Sequence, residues 1–241
     1  MRFQELTALF FSAARVVFLG RTLHELEEGH AVLMRYALAE WGEALPPGID
    51  FDLMILGNQR TDMPEKRADG TISLYGLAVA LFRAQLLPKY HHGMRQAWNH
   101  PVKSLPRVQR ALFDRLLRAI TTPDPAQTSG YLGAALHTLQ DTYTIGHTDR
   151  ENNADPFSPM LRLHYSPSKI HPLISIHDRV WTDESKKTLT PEARAAVQAT
   201  VAALDLWAKQ WGNTAEEAGP AVAEFVERYT PIRHHPFSIP H

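Results

Sequence analysis

The chain has no cysteine, no uncharged apolar run of membrane-spanning length, no glycine-rich phosphate loop and no excess of either charge. Each absence narrows the field. Without cysteine, disulfides and thiolate metal sites are excluded, and histidine and carboxylate are the strong metal ligands left. With 25 Lys plus Arg against 26 Asp plus Glu, no overall field draws the chain to a nucleic-acid backbone or an anionic membrane, so such a partner has to be held locally. No apolar stretch reaches the roughly 18 residues that a membrane span requires. The run from Leu6 to Gly20 carries Arg15, follows Glu5 and lacks a small-x-small cleavage site, so it reads as a helix and not as a signal peptide. A soluble protein is expected, cytoplasmic or exported by a route without a recognisable signal peptide.

What is present is histidine, 13 of them in 241 residues, on a chain that is 44% hydrophobic and long enough to bury one large core. A single domain over 1–241 is expected. Helical periodicity dominates, and no alternating strand run stands out. Thr22 and Glu25 form a capping box, after which Leu23, Leu26, Leu33, Ala37 and Trp41 trace an apolar stripe that also carries His30. A histidine on an inward face needs a partner, either a hydrogen bond or a metal. Further helices are expected over about 73–87, 106–120, 127–145, 191–211 and 215–229. Leu105, Val108, Leu112, Leu116 and Ala119 supply one buried stripe, and Val197, Val201, Leu204, Ala208 and Trp211 another. Residues 148–176, with Pro156, Pro159, Pro167 and Pro172, read as a long irregular connection.

The sharpest motif is His137-x3-Asp141-x5-His147. At about 100° per residue, His137 and Asp141 project from one helix face a turn apart and can address one ion. Ten residues of continuous helix would carry His147 roughly 15 Å along the axis, so the helix has to break first, and Gly146 permits a break. A His-x3-Asp pair alone is weak evidence, and a solvated helix face explains it better. Its company raises the odds: His30, Asp62 after the turn Gly57-Asn58-Gln59-Arg60-Thr61, the His91-His92 pair, and His177-Asp178.

With that order of ligands the chain resembles the zinc-dependent phospholipases C, relatives of the zinc-dependent single-strand nucleases, and most closely their signal-less bacterial phosphatidylcholine-hydrolysing branch. The resemblance implies an all-α, single-domain helical bundle with a multinuclear zinc cleft holding three zinc ions. It assigns His30, Asp62, His92 (or His91), His137 and Asp141 to the paired ions, and His147 and His177 to the third. Asp62 would bridge and orient the attacking water as the catalytic base. The chain departs from the family in starting with Met1 well before His30. It also carries Trp181 where the last carboxylate belongs, leaving Asp178 or Asp183 as substitutes. The implied partner is a phospholipid met in transient contact with a membrane surface, and no stable nucleic-acid partner is expected. Tyr90, Trp98, Phe157, Tyr165 and Trp181 are candidates for an apolar or stacking rim.

Two other readings remain. His147, the His177-Asp178 dyad and Asp205 follow the order used by HD-domain phosphohydrolases, which the chain also resembles. A non-catalytic helical module binding a structural ion is the other. His164 and His171 read as wall or surface residues, and Asp149-Arg150 as an exposed ion pair that can approach substrate.

Overall fold

Caps or first-turn prolines start four helices in the computed structural model of the chain, while the expected Thr22–Glu25 capping box and the helix expected over 73–87 lie outside the residues it describes. It describes residues 28–59, 90, 93, 100–144, 146–164, 180–183, 186 and 188–233. Within them lie helices α1 (Glu28–Trp41), α2 (Phe51–Gln59), α3 (Leu105–Thr121), α4 (Pro125–Asp141), α5 (Pro191–Gln210) and α6 (Ala215–Tyr229). The short strands are β1 (Thr148–Arg150), β2 (Met160–Leu163), β3 (Trp181–Asp183) and β4 (Thr188–Leu189). Asp124 caps α4 by accepting from the Gln127 amide, and Thr190 caps α5 by accepting from Ala193. Proline follows each cap, where its missing N–H costs nothing. Thr214 and Glu217 close a reciprocal capping box on α6. Proline also stands in the first turn of α3. The fold is a mostly helical single domain.

The core is built where these helices face one another. Leu112, Leu116, Ala119 and Ile120 of α3 meet Leu132, Leu136 and Leu139 of α4, with Leu33, Met34 and Ala37 of α1 and Met54 of α2 closing one side. On α5 the buried face runs through Ala195, Ala196, Ala199, Ala203, Leu204 and Trp207. Trp207 is fully enclosed while Trp211 is only half-buried and Ala208 is exposed. Of the expected stripe, Val197 and Leu204 are buried and Val201 and Trp211 pack against the core, so only Ala208 departs from it, and the buried face is wider than expected on its alanine side.

Three expectations give way. The segment from Gly57 does not begin a turn: α2 continues through Gly57 and Asn58, and its start is held by the Asp50 carboxylate, which accepts from Asp52 and Leu53 N–H. The stretch 148–163 is irregular only over 151–159, between two short strands. β1 and β2 pair antiparallel, Thr148 opposite Leu163, and β3 pairs with β4, so the fold is helical with two small two-stranded sheets and not purely all-α. Strands of two to four residues are too short to show alternation in a sequence window. Lastly, α4 stops at Asp141 and not at 145.

Arg150 governs that stop. Its guanidinium lies buried, with Nε donating to the Thr142 carbonyl at 2.9 Å, Nη1 to Ser158 O at 2.8 Å and Nη2 to Tyr229 O at 2.6 Å. It is thus no exposed ion pair with Asp149, which instead accepts from Arg162 and meets His164 Nε2 at 2.6 Å. The Tyr143 ring sits 4.0 Å from the guanidinium carbon, and its hydroxyl lies 2.8 Å from Pro156 O and 3.0 Å from Tyr229 O. Burial pushes the Tyr143 phenol up to about 12, against the opposing field of Arg150. The neutral phenol therefore belongs to the fold. Its contribution is complete below pH 10, the ordinary value, and is lost as pH rises through about 12. Two units correspond to about 3 kcal/mol. Urea titrations across that alkaline range should show a loss of this order, and Tyr143→Phe should flatten the curve; a wild-type curve already flat from pH 10 to 12 would contradict the assignment.

Candidate metal centre

His30, His137, Asp141 and His147 come from three places in the chain and meet at the C-terminal end of α4. His137 and Asp141 are a helical turn apart on its inward face, both fully buried. His137 Nε2 stands 2.9 Å from Asp141 Oδ2. α1 brings His30 across, its Nε2 3.3 Å from Asp141 Oδ1 and its ring centroid 4.3 Å from that of His137. After the helix ends, the chain turns through Tyr143 and Thr144, and the His147 amide donates to Thr144 O at 2.8 Å. That turn swings His147 back so that Nδ1 lies 2.9 Å from Asp141 Oδ1. The break required by the motif exists, but it falls at Thr142, whose hydroxyl donates to Leu139 O at 2.7 Å, and not at Gly146.

Burial opposes ionisation of Asp141, yet the fields of His147 and His137 and their hydrogen bonds outweigh it and hold the carboxyl well below the usual carboxylate range. Asp141 is therefore an anion at neutral pH inside a dry helical interface. The donor set suits a divalent cation. One ligand atom each from His30, His137 and Asp141 lies within 4.8 Å of the others. For zinc bound at about 2.0–2.1 Å in a tetrahedron, neighbouring donors stand roughly 3.3 Å apart, close to the 2.9 and 3.3 Å separations here. Two imidazoles and a carboxylate also suit manganese or iron.

Among the described residues this is one cluster, capable of holding a single ion, where three zinc ions were expected. His147 joins the same carboxylate as His30 and so stands beside this cluster, where the resemblance had assigned it to a separate ion. Asp62, His91, His92, His177 and Asp178 lie outside the described residues. Of the remaining candidates, Tyr90 is buried, with its hydroxyl bonded to Arg107, while Phe157 is exposed beneath Arg228. Asp205, which the HD reading needs, pairs with Lys209 at 2.6 Å on an exposed face of α5.

Sequence reasoning passed over the residues behind the imidazoles. His30 Nδ1 lies 2.8 Å from Gln140 Oε1, and His137 Nδ1 lies 3.4 Å from Asn58 Oδ1. Gln140 adjoins Asp141 in the motif itself, and Asn58 is a buried amide on a mostly apolar helix. Both signals were in the sequence, but only a known α2–α4 contact gives them meaning.

No helix among the described residues is long and apolar enough to cross a membrane. No family model matches the chain, and neither a curated protein nor a solved structure does.

Proposed function

We propose that the chain is a metal-dependent phosphodiester hydrolase, acting on a phospholipid of the phosphatidylcholine type with zinc as its ion. One observation carries the reading: a buried, ionised Asp141 carries three imidazole nitrogens within 2.9 to 3.3 Å. A buried carboxylate among histidines is costly as a packing element and natural as a cation cage. A zinc ion in such a donor set supplies Lewis acidity, lowering the pKa of a water and drawing charge from phosphoryl oxygens.

The chain's own groups divide the remaining work. Asp141 supplies the anionic charge, and His30 and His137 supply neutral donors from two different helices, so the cage is rigid only when α1 and α4 are docked. His147, on the turn after α4, is buried against the same carboxylate and adds a further imidazole beside the cage. Asp62 is assigned the orientation of the attacking water, and His91, His92, His177 and Asp178 the capture of further ions. The spacing His137-x3-Asp141-x5-His147 supports phospholipid over nucleotide by resemblance, and the balanced charge agrees with it.

The test couples metal content to turnover. Protein purified without added metal should carry at least one zinc per chain by elemental analysis. It should release phosphocholine from phosphatidylcholine vesicles, with little action on single-stranded DNA, and His137→Ala should lose both metal and turnover. Zinc with cleavage of DNA but not lipid would move the substrate to nucleic acid. Zinc without any hydrolysis would leave a binding module, and no zinc even on addition would end the metal reading.

A further inference from the structure

The hydrogen bonds behind the two imidazoles have a fixed direction, and it can be traced from a single backbone carbonyl. On α5 the Thr200 hydroxyl donates to Ala196 O at 2.8 Å, so its oxygen is left to accept. It accepts from Gln140 Nε2 at 3.3 Å, which fixes the orientation of that amide. Gln140 Oε1 then faces the cluster as an acceptor, 2.8 Å from His30 Nδ1 and 3.3 Å from Asn58 Nδ2. Asn58, having turned its nitrogen to Gln140, presents Oδ1 to His137 Nδ1 at 3.4 Å. Thr200, Gln140, Asn58 and His137 are all buried to within 1%, so water does not compete for the bonds among them, while His30 is partly exposed.

We propose that Thr200, Gln140 and Asn58 form a polarised relay that holds both His30 and His137 in the Nδ1–H tautomer, turning both Nε2 lone pairs to the cation site at Asp141. An acceptor oxygen on the far ring nitrogen fixes the tautomer and orientation of a ligating histidine and raises its basicity. Here a single amide, Gln140, serves His30 directly and His137 through Asn58, so the two ligands are set together. Reversal of Gln140 would present a donor to His30 Nδ1 and drive the proton to Nε2, removing that ligand. Thr200 prevents the reversal from a helix that contributes no ligand. These are positioning residues, and the inference rests on the metal reading above.

The experiment uses the full chain and zinc itself. Calorimetric titration of metal-free protein with zinc is expected to show binding about tenfold weaker in Thr200→Val and tenfold to a hundredfold weaker in Gln140→Leu. Thr200→Ser should bind as wild type does, because it restores the hydroxyl. Nitrogen-15 spectra of the zinc-loaded wild type should place the imidazole protons of both His30 and His137 on Nδ1. Melting temperatures of the same variants separate the relay from general loosening, since the Ser variant rescues affinity only if the hydroxyl is what matters. Equal zinc affinity in wild type and Gln140→Leu, or an Nε2 proton on either histidine, would overturn the relay while leaving the metal reading intact. Failure of the wild type to bind zinc would overturn both.

Discussion

Gly133→Ala is expected to lower the melting temperature by on the order of 10 °C and to weaken zinc binding by about tenfold to a hundredfold. A Cβ at that position would lie 1.9 Å from Met54 O and 2.8 Å from the Asn58 amide nitrogen, both backbone atoms of α2. No rotamer change relieves such a clash, so α2 has to move away from α4. Overpacking of this kind costs about 1–3 kcal/mol, and more when backbone is struck, and about 3 kcal/mol in a domain of this size shifts the melting point by roughly 6–12 °C. Metal binding weakens because the displaced helix carries Asn58 away from His137. The control is three residues earlier. A Cβ on Gly130 meets nothing within 4 Å, so Gly130→Ala should be neutral or stabilise by up to about 1 kcal/mol through helix propensity. If thermal denaturation gave the same midpoint for both variants, the backbone contact between α2 and α4 would not exist as described.

Arg150→Met should be comparably damaging for a different reason. The guanidinium bonds the carbonyls of Thr142, Ser158 and Tyr229, which come from the end of α4, the β1–β2 connection and the end of α6. Methionine fills much of the volume and satisfies none of them. Each buried acceptor left without a donor costs about 1–3 kcal/mol, and the burial penalty of the cation is recovered in part, for a net loss of about 3 kcal/mol or more. Arg150→Lys is no rescue, since an ammonium lacks the planar fork that reaches three diverging carbonyls. Urea unfolding reads this directly: the midpoint should fall in both variants. Zinc affinity should also drop, because Thr142 follows Asp141 and the end of α4 loosens. A wild-type midpoint in Arg150→Met would refute the tie.

How much of this was legible in the sequence differs by element. The stripe Leu105, Val108, Leu112, Leu116 and Ala119 is buried as its spacing indicates, and helices stand over the expected 191–211 and 215–229 to within a residue. These signals are local, which is why they survive in a bare string of residues. His137 and Asp141 were legible for the same reason, being one turn apart. Gly57 misled because glycine reads as a breaker within its own segment, whereas its service here is to let α2 lie against Gly130 of α4. Arg150 misled because its partners come from segments up to 79 residues away. The convergence of His30 and His147 on Asp141 was suggested by the motif's company, but distance in the chain hides which ligands share an ion. The amides of Asn58 and Gln140 carry no motif at all; only packing turns them toward an imidazole.

Asp141 is the last residue of α4, where the aligned peptide dipoles amount to roughly half a negative charge. The carboxylate adds its own charge at the same point, so the end of the helix itself favours a dication at the cluster, over and above the ligand atoms that would touch it.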